Sequence, residues 1–292
     1  MDAIITYVDG QDPEWQSAYR KYVPVSDKPK RFRDWGTLRY LLRGIEVNMP
    51  FVDNIFLVVA QESQVPTWVD RSRLHVVLHD EIIPHDLLPV FNSCTIEMFL
   101  HRIPSLSEEF LYFNDDMFPL APSRADDFFC NGKPVIGMSH HILSGNMYKK
   151  QCRISDRLSR KALGIRMSMV YVRPQHICSP MLKSQCDEVF RKMQPEILST
   201  ASRIRTPDNP NQYLFLDYMY YKRLLVPRRL SNKHISQGIW NAEKIAGYIL
   251  HPQTQFACIN DVEMPDDRFF HMQKCIINAF EKKFPNKSSC EL

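Results

Sequence analysis

Residues 110–118 combine an apolar run with groups that can do chemistry. The run 110–113 is apolar and aromatic, which is typical of a buried strand, and Asn114, Asp115 and Asp116 follow it directly. Acids at the carboxyl end of such a strand lie where open α/β sheets bind their ligands. Two neighbouring carboxylates there can hold a divalent cation against a phosphate, or one can take a proton while the other binds metal. A turn with solvated acids is the alternative interpretation, because Asn and Asp are common turn residues.

Similar polar clusters follow three other apolar segments of the chain. They are Asp9 with Asp12, His79 with Glu81, and Asn260 with Asp261. The basic residues that could share a site with these clusters are Arg31, Arg33, Arg39, Arg43, His176, Lys183, Arg203 and Arg205. Carboxylates together with several arginines indicate a metal–phosphate ligand, because guanidinium groups match phosphate oxygens bidentately. The combination favours phosphoryl or glycosyl transfer from a nucleotide-sugar donor.

The elements that must position these clusters alternate in type along the first half of the chain. Apolar, β-branched runs predict strands near residues 3–8, 55–60, 74–78 and 110–113. Asp34 is expected to cap a helix that ends near Asn48. Asn92 or Ser93 is expected to cap another helix, which runs to Ile103. The alternation predicts an α/β fold with a layered, mainly parallel sheet.

After about residue 132 the pattern becomes mostly helical. Helices are predicted at 145–166, 180–193, 211–225 and 266–284, with a short strand at 255–259. The aromatic residues of 211–225 are expected to lie in the core. We predict one domain over residues 1–292, in which 1–135 form an α/β half that binds the donor and 136–292 form a helix-rich half that completes the active site.

Composition excludes several classes of protein. A hydrophobic share of 44%, a charged share of 24% and a net charge of +4 are those of an ordinary globular protein, and they argue against a dedicated nucleic-acid binder. The sequence has no dinucleotide fingerprint and no P-loop. Its eight cysteines form no CxxC pair, so buried reduced thiols are expected rather than structural zinc. Without a basic leader or a membrane-spanning apolar run, we expect a cytoplasmic protein with peripheral membrane association at most.

Four segments, taken in order, resemble the conserved regions of the Stealth family. The first is Thr6-Tyr7-Val8-Asp9-Gly10-Gln11-Asp12-Pro13-Glu14-Trp15. The second comprises Arg31-Phe32-Arg33-Asp34, Leu38-Arg39-Tyr40, Phe91-Asn92-Ser93 and residues 113–118. The third comprises His176, Pro180, Lys183, Ser202-Arg203-Ile204-Arg205 and Asn211-Gln212-Tyr213, and the fourth Cys258-Ile259-Asn260-Asp261 with Phe284-Pro285 and Ser288. Two departures are Tyr7, where the family usually has Trp, and Pro119 directly after Phe118.

The resemblance implies a fold of the glycosyltransferase-A or Rossmann-like type and a hexose-1-phosphate transferase activity. A sugar-1-phosphate would pass from a nucleotide diphosphate sugar, such as UDP-N-acetylglucosamine, to a hydroxyl of an acceptor glycan. The products would be a phosphodiester and a nucleoside monophosphate, in capsular or exopolysaccharide synthesis. The family also implies a divalent cation, Mg²⁺ or Mn²⁺, and partners limited to the donor and the acceptor glycan, at the inner face of the membrane if a membrane is involved.

The resemblance also suggests roles for individual residues. His176 or Asp116 would be the general base: a histidine has the better intrinsic pKa, whereas an aspartate needs its pKa raised by burial or a neighbouring carboxylate. Arg205 would neutralise the phosphate in the transition state, and Asp115 and Asp261 would bind the metal. The remaining substrate-binding candidates are Tyr7, Asp9, Gly10, Asp12, Arg33, Arg39, Asn114, Lys183, Arg203 and Asn260.

Structural roles are the alternative for several of these residues. Asp12 can build the turn before Pro13, Arg39 and Arg43 can be solvated or pair with Glu46, and Arg203 can pair with Asp208. The basic stretch 149–161 is either a solvated face or a patch that faces an anionic polymer or a membrane.

Two other functions also fit the residues. The first is a metal-dependent glycosyltransferase that releases a nucleoside diphosphate, with the Asn-Asp-Asp cluster as its metal site. The second is a non-catalytic glycan-binding protein.

Overall fold

The computed structural model describes residues 1–23 and 32–292. Its strands are β1 (Asp2–Thr6), β2 (Asn54–Val59), β3 (Leu74–Leu78), β4 (Glu109–Asn114), β5 (Met117–Pro119), β6 (Phe129–Cys130), β7 (Lys133–Pro134), β8 (Met138–His141), β9 (Tyr171–Pro174), β10 (Ser179–Leu182), β11 (Asn232–Ser236) and β12 (Phe256–Asn260). Its helices are α1 (Pro13–Arg20), α2 (Leu38–Asn48), α3 (His79–Ile82), α4 (Ser93–Glu97), α5 (Ala125–Phe128), α6 (Met147–Ala162), α7 (Lys183–Lys192), α8 (Gln194–Thr200), α9 (Tyr213–Tyr221), α10 (Ala242–Leu250) and α11 (Asp266–Lys283).

Five strands form the central sheet, in the order β10–β4–β1–β2–β3. The strands β4, β1, β2 and β3 run parallel, and β10 joins the β4 edge in the antiparallel direction. The four parallel strands are the four that the sequence predicts. Successive residues of β1 and β4 are buried, as expected for a sheet covered on both faces. The prediction of an α/β fold with a mainly parallel sheet is confirmed.

The strand register brings two polar clusters to one edge of the sheet. Thr6 of β1 pairs with Asn114 of β4 on one side and with Val58 of β2 on the other. Because parallel strands end at the same edge, the segments after Thr6 and after Asn114 leave the sheet side by side. The first and second sequence motifs therefore meet there.

A second, three-stranded sheet brings the end of the chain to the same edge. Its order is β11–β12–β5, with Cys258 of β12 opposite Met117 of β5. The Ile259 amide donates a hydrogen bond to the Asp116 carbonyl over 2.9 Å. Asp261, two residues beyond Ile259, is thereby fixed close to the strand-end acids of β4.

Three details of the predicted elements are wrong. Residues 180–182 were expected in a helix but belong to β10, an edge strand, where a proline that cannot donate a hydrogen bond is tolerated. Thr37, not Asp34, precedes α2, because the Asp34 carboxylate instead accepts from the Gly36 amide over 2.8 Å. The helix capped by Asn92 is short and ends at Glu97.

The two halves of the chain share one hydrophobic core, which contains residues from Ala3 to Cys290. A buried ion pair adds to it: Arg43 of α2 contacts Glu291 over 2.6 Å, so Arg43 does not pair with Glu46. All eight cysteines are free thiols. Over the described ranges, none of the helices combines the length and apolar character needed to cross a bilayer.

Candidate active site

A cleft of about 1270 Å³ opens at the carboxyl end of the central sheet. The segments that follow β1, β4, β9 and β12 all contribute to its walls. Nine of the residues predicted from the sequence line it: Tyr7, Arg33, Asn114, Asp115, Asp116, His176, Arg205, Asn260 and Asp261. The cleft therefore brings together side chains that are up to about 250 residues apart in the sequence.

Four carboxyl groups are crowded at one end of this cleft, in Asp34, Asp115, Asp116 and Asp261. Burial and the charges of Asp116, Asp34 and Asp261 raise the pKa of Asp115 to about 8. Burial also raises the pKa values of Asp34 and Asp261. Negative charges that are this close repel one another, so the group would be stabilised by a cation. We refer to these four acids as the acid cluster.

One carboxylate oxygen of Asp116 has no hydrogen-bond partner among the described residues. Its Oδ2 atom accepts from the Cys258 thiol over 3.2 Å. Its Oδ1 atom is buried and has no hydrogen-bond partner within the part of the chain that the structure describes. Buried polar atoms of native proteins are almost always paired, and an orphan is typical of a site that holds an ion or ligand.

The oxygen donors of the acid cluster fit a hard divalent cation. Mg²⁺ and Mn²⁺ prefer carboxylate oxygens, and Asp115 and Asp261 are both close enough to Asp116 for their charges to interact with it. A second group of donors lies nearby, because ligand atoms of His176, His234 and Cys258 are all within 4.8 Å of one another. Two nitrogens and a sulfur are a softer set, which suits zinc better than magnesium.

Tyr7 and Arg33 form a polar rim next to the acid cluster. The Tyr7 hydroxyl bonds to Asp34, and burial together with the nearby acids raises the pKa of this phenol well above its usual range. Arg33 bonds to Asp266 over 2.6 Å, and its guanidinium lies 4.7 Å from the centre of the Phe269 ring. Tyr7 is thus a neutral hydrogen-bonding group, and Arg33 a positioned cation, at the edge of the acids.

His176 is held in the cleft by a pair of tyrosines. Its Nδ1 atom is 3.0 Å from the Tyr213 hydroxyl, which is 3.1 Å from the Tyr148 hydroxyl. Burial, helped by His234 and Arg173 and opposed by Asp116, lowers the pKa of His176. The imidazole is therefore neutral near neutral pH. With its proton on Nδ1, it presents the Nε2 lone pair as a base.

Arg205 reaches the cleft from the loop before α9. Its guanidinium donates to the Ser93 hydroxyl at the start of α4. It also lies near the buried Glu97, whose pKa is raised by burial and lowered in part by Arg205. The Glu97 carboxylate accepts from the Gln212 amide over 2.8 Å, which fixes the loop behind Arg205.

Sequence reasoning missed a set of basic residues that line the cleft together with His176. They are His141, Lys149, Arg173, Arg229 and His234. We call them the basic wall. They come from β8, β9, the first turn of α6 and the segment 227–234. Only Lys149 belongs to the basic stretch 149–161, for which a solvated face was one of the two interpretations, and the other four residues lie outside it.

Three predicted residues near the first motif do not line the cleft. The Asp12 carboxylate caps α1 by accepting from the Glu14 amide over 2.9 Å, and it also accepts from Ser63 and Gln64. Although burial opposes it, these bonds hold the pKa of Asp12 below its usual value. Gly10 is required by close packing, because a Cβ atom there would lie 2.2 Å from the Phe32 carbonyl oxygen.

Asp9 is the third of these residues. Its carboxylate accepts from the Gln11 amide over 2.8 Å, while its own amide donates to the Gln64 side chain. Its charge still acts on the site, since it raises the pKa values of Tyr7 and Asp34. Asp9 is therefore a neighbour of the acid cluster and not a lining residue.

Three predicted cations also lie outside the cleft, where they contact other parts of the protein. The Lys183 ammonium donates to the carbonyls of residues 103, 104 and 106. Arg203 donates to the carbonyls of Asp86 and Leu88 and not to Asp208. Arg39 stacks on Trp68 at 4.9 Å. Arg31 is outside the described residues.

The comparisons with known proteins agree with the motifs. Residues 31–136 match the family model described as Stealth protein CR2, conserved region 2. The chain is 32% identical over its full length to the capsular polysaccharide phosphotransferase WcwK of Streptococcus pneumoniae, of which 99% is covered. It is also 32% identical to the receptor polysaccharide phosphotransferase WefC of Streptococcus oralis, with 100% of this chain and 99% of that protein covered.

Among solved structures, an active-site mutant of LgtC aligns with a TM-score of 0.41 and 9% identity, over 94% of this chain and 95% of that one.

The two full-length relatives, together with the conserved-region match, define the class of the protein as a phosphotransferase enzyme. The chain belongs to the Stealth family.

Proposed function

We propose that this enzyme transfers a sugar-1-phosphate from a nucleotide diphosphate sugar, such as UDP-N-acetylglucosamine, to a hydroxyl of an acceptor glycan in capsular or exopolysaccharide synthesis. The observation that supports this most is the placement of a crowded acid cluster, a neutral histidine and several cations in one cleft. A diphosphate needs a metal or arginines to offset its charge, and an attacking hydroxyl needs a base. The cleft offers both.

In this proposal the acceptor oxygen attacks the phosphorus that bears the sugar. A new P–O bond forms, the bond to the bridging oxygen between the two phosphates breaks, and a nucleoside monophosphate leaves. The proton of the acceptor hydroxyl moves to Nε2 of His176. We prefer His176 over Asp116 as the base because its lowered pKa keeps the imidazole neutral, and the Tyr213 contact fixes its ring.

Arg205 and the basic wall stabilise the charge that builds up on the phosphoryl oxygens. Arg205 is anchored by Ser93 next to the cleft, so its guanidinium is positioned before the substrate arrives. Arg173 and Arg229 are placed to bind the remaining oxygens of the donor or an anionic acceptor. Tyr7, Arg33, Asn114 and Asn260 would hold the rest of the donor at the acid end.

Asp115 and Asp261, with the orphan oxygen of Asp116, would hold the Mg²⁺ or Mn²⁺. When bound there, the cation supplies charge neutralisation for the diphosphate. Six of the residues predicted to bind substrate do not line the cleft, and in this proposal they fix the loops that form its walls. They are Asp9, Gly10, Asp12, Arg39, Lys183 and Arg203.

The test is incubation with a panel of nucleotide sugars, oligosaccharide acceptors and Mg²⁺ or Mn²⁺, followed by chromatography of the nucleotides. Release of a nucleoside monophosphate and a phosphodiester signal in the ³¹P spectrum of the product are expected. His176→Gln should abolish both. Asp126→Asn, which changes an exposed acid that pairs with Arg124, is the matched control.

Two results would contradict the proposal. Release of a nucleoside diphosphate with a glycosidic product would identify a metal-dependent glycosyltransferase. Binding of donor or glycan without any nucleotide release, across the panel and with both metals, would favour a non-catalytic glycan-binding protein.

A further inference from the structure

Exposed apolar side chains are concentrated in one short part of this protein. Of the eleven large hydrophobic residues that are exposed in the described ranges, six lie between positions 142 and 169. Leu143 is 79% exposed and Met169 is 77% exposed. Scattered exposed hydrophobic residues are normal, but a contiguous group of them marks an interaction surface.

Hydrogen bonds hold these residues together. The Arg153 guanidinium donates to the Ile142 carbonyl over 2.5 Å and to the Met169 carbonyl over 2.8 Å. The Tyr171 hydroxyl donates to the Leu143 carbonyl over 3.0 Å. The loop after β8 and the loop before β9 are thereby fixed next to each other. We call the surface formed by Ile142, Leu143, Met147, Met167 and Met169 the apolar face.

The part of the chain that carries the apolar face is rich in basic residues. Residues 138–173 contain eight Lys and Arg side chains and a single acid, Asp156, whereas the whole chain has a net charge of only +4. That acid forms an ion pair with Arg160 over 2.8 Å and also accepts a hydrogen bond from the Tyr221 hydroxyl. Lys150 and Arg157 of α6 are exposed and seven residues apart, so they project from the same side of that helix.

The apolar face also adjoins the mouth of the cleft. His141, Tyr148 and Lys149, which line the cleft, come from the same strand end and helix start as Ile142, Leu143 and Met147. A surface that bound here would lie next to the basic wall, in which Arg173 and Arg229 bind the donor or an anionic acceptor in our proposal.

We propose that the apolar face docks on the surface of a bilayer that contains anionic phospholipids. Leu and Met side chains can enter the headgroup region while Lys and Arg contact the lipid phosphates, and this combination is typical of interfacial binding. A soluble anionic polymer would contact the charges but gain nothing from the exposed Leu143 and Met169. A second copy of this chain would place like charges against each other.

The experiment is co-sedimentation of the full chain with lipid vesicles. Vesicles of phosphatidylcholine mixed with phosphatidylglycerol should bind the protein, and vesicles of phosphatidylcholine alone should not. High salt should weaken the binding, because it screens the basic residues. This assay needs no turnover, so its outcome is independent of whether the proposed transfer reaction is correct.

Two double variants separate the apolar and the charged contributions. Lys150→Gln with Arg157→Gln should weaken partitioning about fivefold per residue, since a basic residue near an anionic surface contributes roughly 1 kcal/mol. Leu143→Gln with Met169→Gln should weaken it roughly tenfold or more, because the side chains no longer gain from burial. Both should keep the activity of wild type on soluble donor and acceptor, because none of the four residues contacts the cleft.

Val47→Gln is the matched control. Val47 is 63% exposed on α2, away from the basic segment, so its replacement removes a comparable apolar side chain and should leave vesicle binding unchanged. Circular dichroism and thermal unfolding would establish that all the variants are folded.

Three results would overturn the proposal. One is wild-type protein that does not sediment with anionic vesicles. Another is a Leu143→Gln, Met169→Gln variant that binds anionic vesicles as well as wild type does. That result would favour a soluble anionic polymer as the partner of this surface. The third is an apolar double variant that changes the oligomeric state in analytical ultracentrifugation and has unchanged lipid binding, which would make the face a contact between copies.

Discussion

The acid cluster and the basic wall of the cleft are built in different ways. The acid cluster follows the ends of β4 and β12, together with Asp34 before α2, and its backbone is tied into hydrogen-bonded strands. The basic wall comes from the β8–β9 pair, the start of α6 and an irregular segment near Arg229. Three of the four acids therefore lie in loops just beyond strand ends, whereas three of the five basic-wall residues, His141, Arg173 and His234, lie within strands.

The acid cluster and the basic wall also differ in their electrostatics. The acids repel one another, and the raised pKa values of Asp34, Asp115 and Asp261 show that the folded protein favours protonation of these three groups. Folding therefore places unfavourable charge where a cation is expected to bind. The basic wall carries the opposite charge: burial together with Arg173 and Lys149 lowers the pKa of His141, and burial together with His234 and Arg173 lowers that of His176, so an anion would be stabilised there. In a metal-bound diphosphate, the metal would offset the charge of the acid cluster and the phosphates would offset the charge of the basic wall. This is the main physical reason for proposing a nucleotide diphosphate sugar as the donor.

The largest effect is expected for the replacement of His176, which interacts both with Asp116 of the acid cluster and with His234 and Arg173 of the basic wall. His176→Gln keeps the size and polarity of the side chain but removes the base. We expect kcat to fall by roughly 10² to 10⁴, the usual contribution of a positioned base, with little change in donor KM. Steady-state kinetics with the true donor and acceptor would measure this.

The Tyr213 contact provides the control for this prediction. Tyr213→Phe should cost less, because it only loosens the ring of His176. A His176→Gln enzyme with near-wild-type kcat would transfer the role of base to Asp116.

Arg205→Lys tests whether geometry or charge alone matters on the phosphate side. A lysine keeps the positive charge but cannot reproduce the planar guanidinium fork. We expect a loss in turnover on the order of 10³, similar to that of other arginines that stabilise phosphoryl transfer.

Arg191→Lys, on the surface of α7 and paired with Asp187, is the matched control. If Arg205→Lys turned over like wild type, Arg205 would have to be removed from the mechanism. Arg203 would not replace it, because its guanidinium is occupied by the carbonyls of Asp86 and Leu88.

Arg173 tests the basic wall itself. Arg173→Gln should raise the KM of the anionic substrate roughly tenfold, as expected for the loss of one charge-assisted hydrogen bond, and should change kcat less than Arg205→Lys does. An unchanged KM for donor and acceptor alike would mean that the wall does not contact substrate.

Most of the acid cluster could be predicted from the sequence, whereas most of the basic wall could not. These acids were singled out because they interrupt long apolar runs, and the pairing of β12 with β5 places Asp261 close enough to Asp116 for their charges to interact. Arg173, Arg229 and His234 were missed, since short strands and loops have no periodicity that separates a cleft from a surface.

Cations were the least predictable part for a physical reason. The same long basic side chain can bind a phosphate or cap carbonyl oxygens, and only the tertiary fold decides which. Lys183 donates to carbonyls near residue 104, about 80 positions away, and no local pattern indicates that contact. Tyr213, Phe215 and Tyr218 of α9 are buried as predicted, whereas Tyr220 and Tyr221 are only partly buried. The contact of the Tyr213 hydroxyl with His176 was not predicted.

Metal binding and pH should be coupled through the acid cluster. Burial and neighbouring acids raise the pKa of Asp115 from 3.8 to about 8, so between these values the folded protein retains a proton that the unfolded chain has lost. The metal-free protein should therefore lose unfolding free energy as pH rises through this window.

Protons compete with metal for the same oxygens, so the stabilisation by Mn²⁺ should grow over this range. Thermal unfolding with and without Mn²⁺, at several pH values across the window, would measure it. Equal stabilisation by Mn²⁺ at both ends of the window would contradict an acidic metal site.

The smallest effect is a change in unfolding free energy that distinguishes two aspartates, Asp115 in the cleft and Asp12 at the start of α1. Asp12 caps α1 and accepts from Ser63 and Gln64, so Asp12→Ala should lower the unfolding free energy by about 1–2 kcal/mol, the upper range for a helix cap. Asp115→Asn should do the reverse: it removes a repelled charge, so the fold should be as stable as wild type or more stable near pH 8, while metal-dependent activity is lost. Urea unfolding and kinetics on the same two proteins would test both statements. An Asp12→Ala protein of full stability but little activity would place Asp12 with the donor, where the sequence motif first suggested it.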